Sequence, residues 1–427
     1  MRKITSLFKT LFVGAACMFC MQTALAADNW KYPTKSSKPD GNFGGGSGTE
    51  ANPYLIKNAQ QLADLAWCVN DGNAYKGKYF KLTADITLND ITWTADNTPS
   101  SMDGLKAWTP IGEYGFFTND AFEGIFDGGG HTVSGLVVKV SDYEYGGMFG
   151  AMKRAVVRNL TISDSYLYEP DDIDDNRAGL LAGYMSESQI YDCHVVKSCV
   201  NVYSDDNSTS AIGGVVGQGS GEGKSMTSCS FDGHIRLCHG KGKTYVAGLM
   251  ALGAPELKCC EVSGDMDILA NGDSRANSFV CANGLCYEAG TVTESVSRMN
   301  FNIGHTDKRR TTCPDISVNG FCYKTVRIYE GAYMGKVNVQ STDDWNVGEI
   351  GSLHQDEGAI RNGVFYCKVS GPAEPSTRGE FTFYPIGAEV IDIPSTLFRH
   401  SLRQYWCSTT TVTLTRPTST ASKRLNL

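Results

Sequence analysis

The densest set of side chains able to do chemistry lies between Ser165 and Arg177, which read SYLYEPDDIDDNR. Glu169, Asp171, Asp172, Asp174 and Asp175 are hard oxygen ligands of the kind calcium takes. Tyr166 and Tyr168 add flat apolar faces on which a sugar ring can stack. Together they would suit a ligand-binding rim loop or a calcium-stabilised turn. The Asp-x-Asp-x-Asp-Gly spacing of a calcium loop is absent, and an acidic loop between strands is commonly just a solvated face. No cofactor is therefore expected, and calcium is the one ion for which ligands are at hand. A basic counterpart, Asp307-Lys308-Arg309-Arg310, carries the charge that stabilises an enolate in a lyase. His354, Asp356 and Glu357 form another polar loop, and Tyr143 and Tyr145 a small aromatic patch.

The motifs that would fix a reaction are missing. None of the 7 histidines falls in His-Glu-x-x-His, and there is no Gly-x-Ser-x-Gly elbow. GQGSGEGKS, from Gly217 to Ser225, has the composition of a phosphate cradle but reads as a turn between two strands. No catalytic residue is named on this basis.

What must position these loops is a repeat. Glycines flanked by small and apolar residues recur at Gly147, Gly179, Gly214, Gly248, Gly284 and Gly320, with a weaker copy at Gly348; the gaps are 32, 35, 34, 36, 36 and 28 residues. A fixed period of this size marks a stack of similar units. Each unit holds a glycine strand, a turn and a longer alternating strand such as SCSFDGHIRLCH, too few strands for a propeller blade and too β-branched for a helical repeat. The cysteines follow the same rhythm. Cys193, Cys229 and Cys260 trail their glycines by 14, 15 and 12 residues, and Cys286 and Cys322 each follow by two. Residues in one phase of adjacent coils lie about 4.8 Å apart, with Cβ atoms side by side and farther apart than a disulfide prefers. Most of these thiols are expected to be reduced, inward-facing small hydrophobes.

The N-terminus has the form of an export signal: Arg2, Lys3 and Lys9, an apolar run from Leu11 to Met21, then Ala24-Leu25-Ala26. Residues 1–26 read as the signal peptide and 27–48 as a flexible Gly/Ser/Lys linker. Residues 49–140 read as an N-terminal cap with the first coils, 141–370 as repeats, and 371–427 as a C-terminal cap or disordered tail. Within the cap, Asn58 opens a short helix with Leu62, Leu65, Ala66 and Val69 on one face. With 38 Lys and Arg against 46 Asp and Glu, the chain carries a net charge of −8, which disfavours nucleic acid. No transmembrane segment is expected after the leader.

The order NPYLI, helix, LTADITL, WTPIG, FEGIFDGGGHTVSGL and GGMFG resembles the opening of GLUG-motif proteins, repeat proteins of Bacteroidetes surfaces. The resemblance covers Thr49 to about Ser370. It implies an all-β fold, a right-handed parallel β-helix of ~34-residue coils with a short N-terminal capping helix. It implies no shared activity. Some immunoglobulin A metallopeptidases carry such repeats, but their zinc motif has no counterpart here. The expected function is a secreted or cell-surface, non-catalytic scaffold of adhesin-like or glycan-binding type, with a host surface protein or a glycan as partner. The alternative is a carbohydrate-active enzyme, a polysaccharide lyase or glycoside hydrolase, with carboxylates gathered from different coils on the rim.

Overall fold

The computed structural model describes residues 29–390, apart from 115–118, 172–174, 206, 271–277, 306–314, 340–348, 354–358, 362–363, 371–381 and 385–388. The chain winds into a parallel β-helix of about six coils, spaced about 34 residues apart, with one helix near the N-terminus. A typical coil lays down Thr209–Gly213, Val216–Ser220, Ser225–Thr227 and then Ser230–His239. Each strand pairs in parallel with its counterpart one coil on. The longer strands that matter below are β1 (Tyr54–Ile56), β2 (Tyr79–Leu82), β3 (Ile125–Ser134), β4 (Val156–Ser163), β5 (Tyr166–Glu169), β6 (Gln189–Ser204), β7 (Ser230–His239), β8 (Glu261–Ala270) and β9 (Val296–His305). Inward residues of these strands join one continuous core running from Trp30 to Val337.

The period has a physical cause. A Cβ added to Gly214 would lie 2.4 Å from the Gly248 carbonyl oxygen, one on Gly248 would lie 2.5 Å from that of Gly284, and one on Gly284 would fall on that of Gly320. Gly248 N donates to Gly284 O at 2.9 Å, so the backbone of each coil rests on the next where a side chain would stand. The register corrects one spacing. Gly179 pairs with Gly213 rather than Gly214, and the same offset holds past the turn, where Ala182 pairs with Val216.

The cysteine ladder follows from the same register. His194 pairs with Ser230 and Ser230 with Glu261, which places Cys193, Cys229 and Cys260 one above another. All three are buried in the core. Cys286 pairs with Cys322, and their sulfurs stand 3.6 Å apart, beyond a covalent bond. Burial pushes the Cys193 thiol up to about 12. Cys199 departs from the expectation: it alternates away from the core residues Val200 and Val202 and is absent from the core cluster.

The N-terminal segment also departs from expectation. The described part of 27–48, whose composition is that of a linker, packs as part of the fold. Trp30 is buried and donates its Nε1 hydrogen to Leu88 O at 2.9 Å, and Phe43 meets Tyr54 edge-on. The glycines of GGGSG run along β1: Gly44 N donates to Leu55 O at 2.7 Å, and Leu55 N donates to Gly45 O at 2.9 Å. This strap covers an edge whose unpaired amides would otherwise recruit another chain. The helix α1 (Ala59–Asn70) is capped as predicted, with the Asn58 side chain accepting from Gln61 N at 3.0 Å, and Leu62, Leu65, Ala66 and Val69 are buried.

Candidate ligand-binding groove

The described carboxylates of the acidic loop, Glu169, Asp171 and Asp175, form no metal-holding cluster. Glu169 is buried, and its carboxylate is turned onto backbone, accepting from Ser141 N at 2.8 Å and Asp171 N at 3.1 Å. Asp175 lies 2.9 Å from the Arg177 guanidinium and Asp171 is exposed at the turn, while Asp172 and Asp174 lie outside the described residues. Among the described residues no cluster of three or more His, Cys, Asp or Glu can hold a metal ion. The GQGSGEGKS stretch is a strand and turn, with Gly221 and Gly223 at positive φ. Asp307 to Arg310, and His354, Asp356 and Glu357, lie outside the described residues.

The two tyrosines have a different setting. Tyr166 and Tyr168 alternate outward on β5 with rings stacked 5.2 Å apart and 5° from parallel. Tyr166 is nearly covered, and its hydroxyl accepts from Asn201 Nδ2 at 3.0 Å. Each tyrosine opens a column that runs through the later coils, with Val137 and Lys139 in register on its other side. In register behind Tyr166 come Cys199, His234, Asp265 and Asn300; behind Tyr168 come Asn201, Arg236, Asp267 and Asn302. Alternation turns all of them to the outer face, and coil stacking brings residues 31 to 35 positions apart into contact distance.

Over the head of these columns hangs Trp93, its ring edge-on to Tyr166 at 6.1 Å. It belongs to an insertion that the sequence gives no strand rhythm. Asn89, buried, ties that insertion down by donating to Gly135 O at 2.8 Å and Lys106 O at 3.0 Å, while accepting from Lys106 N at 2.7 Å. A short backbone bridge between Trp93 and Pro99 closes the turn that carries the indole. Beneath lies a groove of about 360 Å³, with Trp93, Asp164, Lys197, Cys199, His234 and Asp265 among its lining.

The face beside the groove is polar. Asp267 Oδ2 is 3.0 Å from His234 Nε2 and 3.8 Å from Arg236, and Oδ1 accepts from Asn302 Nδ2 at 2.9 Å. Burial alone would raise the Asp267 carboxyl, but the His234 and Asn302 contacts and the Arg236 charge outweigh it and hold it below the usual carboxylate range. Burial pushes the Cys199 thiol up to about 12, which leaves it protonated and a poor nucleophile. Trp93 Nε1, Arg236 Nε and His234 Nε2 are buried without a well-angled hydrogen-bond partner among the described residues; the His234–Asp267 approach has ion-pair distance only. The signal for this site was present in the sequence as polar residues at i and i+2, repeated one period apart.

No family model matches this chain. It is 33% identical over 126 residues to the "Putative Gly-rich membrane protein" of Evansella cellulosilytica, a match covering 29% of this chain and 12% of that protein. It is 32% identical over 139 residues to "Halomucin" of Haloquadratum walsbyi, covering 32% of this chain and 1% of that protein. The chain thus spans a small part of the relatives it matches. Among solved structures, a "putative immunoglobulin A1 protease" from Bacteroides ovatus aligns with TM-score 0.46 and 16% identity, covering 75% of this chain and 87% of that one. No helix among the described residues is long and apolar enough to cross a membrane.

Proposed function

We propose that this chain is an extracellular β-helix scaffold, exported by its leader, that holds a glycan in the groove under Trp93 without cleaving it. The observation that carries this reading is the Trp93 indole in the groove lining, set over two columns of mostly polar side chains that run on from the stacked Tyr166–Tyr168 pair. Aromatic faces take the apolar side of a sugar, and fixed amides, carboxylates and guanidinium take its hydroxyls. The names of the two relatives, a Gly-rich membrane protein and halomucin, support a place at the cell surface, as does the GLUG resemblance.

A glycan suits the groove better than a host peptide. The strands flooring it are paired on both sides, β6 with β4, β5 and β7, and β7 with β8, so they offer no free backbone edge to an extended peptide. Recognition there falls to side chains.

The test is an oligosaccharide panel scored for both retention and cleavage, run with wild type and Trp93→Ala. Retention without product is expected, with affinity about tenfold weaker in the variant, the size of one lost aromatic contact. Released product would transfer the chain to the carbohydrate-active enzymes.

A further inference from the structure

Resting on that reading, we infer that the groove selects neutral glycans and turns away polyanionic ones. Its lining carries Asp164, Asp232 and Asp265 against the single ammonium of Lys197. Along the columns, Arg236 is matched by Asp267, and Lys139 lies outside the lining, beyond Tyr168 in register. The carboxylates are also committed as acceptors: Asp232 takes the Ser263 hydroxyl at 2.7 Å, and Asp265 takes Asn300 Nδ2 at 3.2 Å. Such groups welcome the hydroxyl hydrogens of a neutral sugar and repel a uronate or sulfate. Besides the Lys197 ammonium, the lining supplies the neutral amide of Asn97 as a directional donor. The whole chain leans the same way, with 46 acidic residues against 38 basic ones.

The inference also bears on chemistry. An enzyme that cleaves by β-elimination must first gather cations on a uronate carboxylate, so that the proton beside it can leave. This groove gathers the opposite charge, so a lyase is the wrong enzyme to look for in it.

The experiment measures binding of neutral glucan, mannan, galactan and chitin oligomers, and of oligogalacturonate and oligoguluronate of equal length, at 20 and 500 mM NaCl. Neutral chains should bind with little dependence on salt. Uronates should bind about tenfold more weakly at 20 mM, with the gap narrowing at 500 mM as the Debye length shrinks. The variant Asp164→Asn/Asp232→Asn/Asp265→Asn should close the gap at low salt. Asn tolerates the positive φ that Asp164 adopts, so the change is one of charge. Tighter binding of uronates, still lost in Trp93→Ala, would overturn the charge selection and leave the groove as the glycan site. Failure of every oligomer to bind, or equal binding by a folded Trp93→Ala protein, would overturn the site itself.

Discussion

His239 is a base placed where a proton does harm. It is fully buried, with Nδ1 3.1 Å from the Thr244 hydroxyl, which in turn lies 3.1 Å from Ser204 Oγ. Burial pushes it down to about 4, the Asp205 charge offsetting this only in part. A group held neutral in the fold and ordinary when unfolded contributes its full stability above pH 6.5 and loses it as pH falls from 6.5 towards 4. That shift is worth about 3 kcal/mol. Between pH 7.5 and 4.5 wild type should therefore lose roughly 2–3 kcal/mol more than His239→Gln in denaturant titrations, once the carboxylates common to both cancel. Parallel pH profiles would refute it. The thiols give a second test at this scale. Among the ten cysteines whose side chains the structure describes, only Cys259 is exposed, while Cys193, Cys229, Cys260, Cys286 and Cys322 are buried in the core. Brief native alkylation followed by peptide mass spectrometry should label Cys259 first, even though burial and Glu294 raise its thiol. Prompt labelling of the ladder would mean that the coils are open.

At the level of elements, what was legible is what repeats or caps. The period of glycines gave the coil, because close approach of backbones leaves no room for a Cβ, and Asn58 with Leu62, Leu65, Ala66 and Val69 gave α1. The strap over β1 was not legible, since GGGSG has the same composition whether its glycines confer freedom or permit contact. Here they permit contact: Gly46 sits at φ +94°, and a Cβ on it would collide with the Pro53 carbonyl oxygen. Gly46→Ala should accordingly cost about 1–3 kcal/mol from backbone strain alone. It should also loosen the strap and expose the β1 edge, raising self-association. Melting together with light scattering at increasing protein concentration checks both effects. A variant with unchanged Tm and no concentration dependence would show the strap to be ornamental.

Across the whole molecule, the polar i, i+2 pairs recur in the sequence, but the groove they build could not be assembled from it, because its parts come from distant stretches that only the coil register brings together. Tyr166, Cys199, His234 and Asp265 belong to four successive coils, and Trp93 arrives from an insertion held by Asn89. The residues that stood out in the sequence were those adjacent along the chain, Glu169 to Asp175, of which Glu169 turns its carboxylate onto backbone and Asp175 pairs with Arg177. Coil register makes binding depend on residues that never meet the ligand. Val215 is fully buried beside the glycine turn of the coil that leads from β6 into β7, and a carboxylate there loses about 1.5–3 kcal/mol of apolar burial besides carrying an unpaired charge inward. Because stability in a stack is close to a sum of coil and interface terms, Val215→Asp should open the coils around it while α1 and β1 to β3 stay folded. Hydrogen exchange should then show protection lost from about residue 177 to 270 and kept in α1, and glycan retention should vanish with the lost register between Cys199 and His234. Glu222→Ala, an exposed change in the same coil, should leave both intact; Asp206, an alternative surface control, lies outside the described residues. A single transition that lowers protection uniformly from α1 to β9 would argue that the helix folds as one cooperative block, and that the groove depends on the whole stack instead of on its own four rungs.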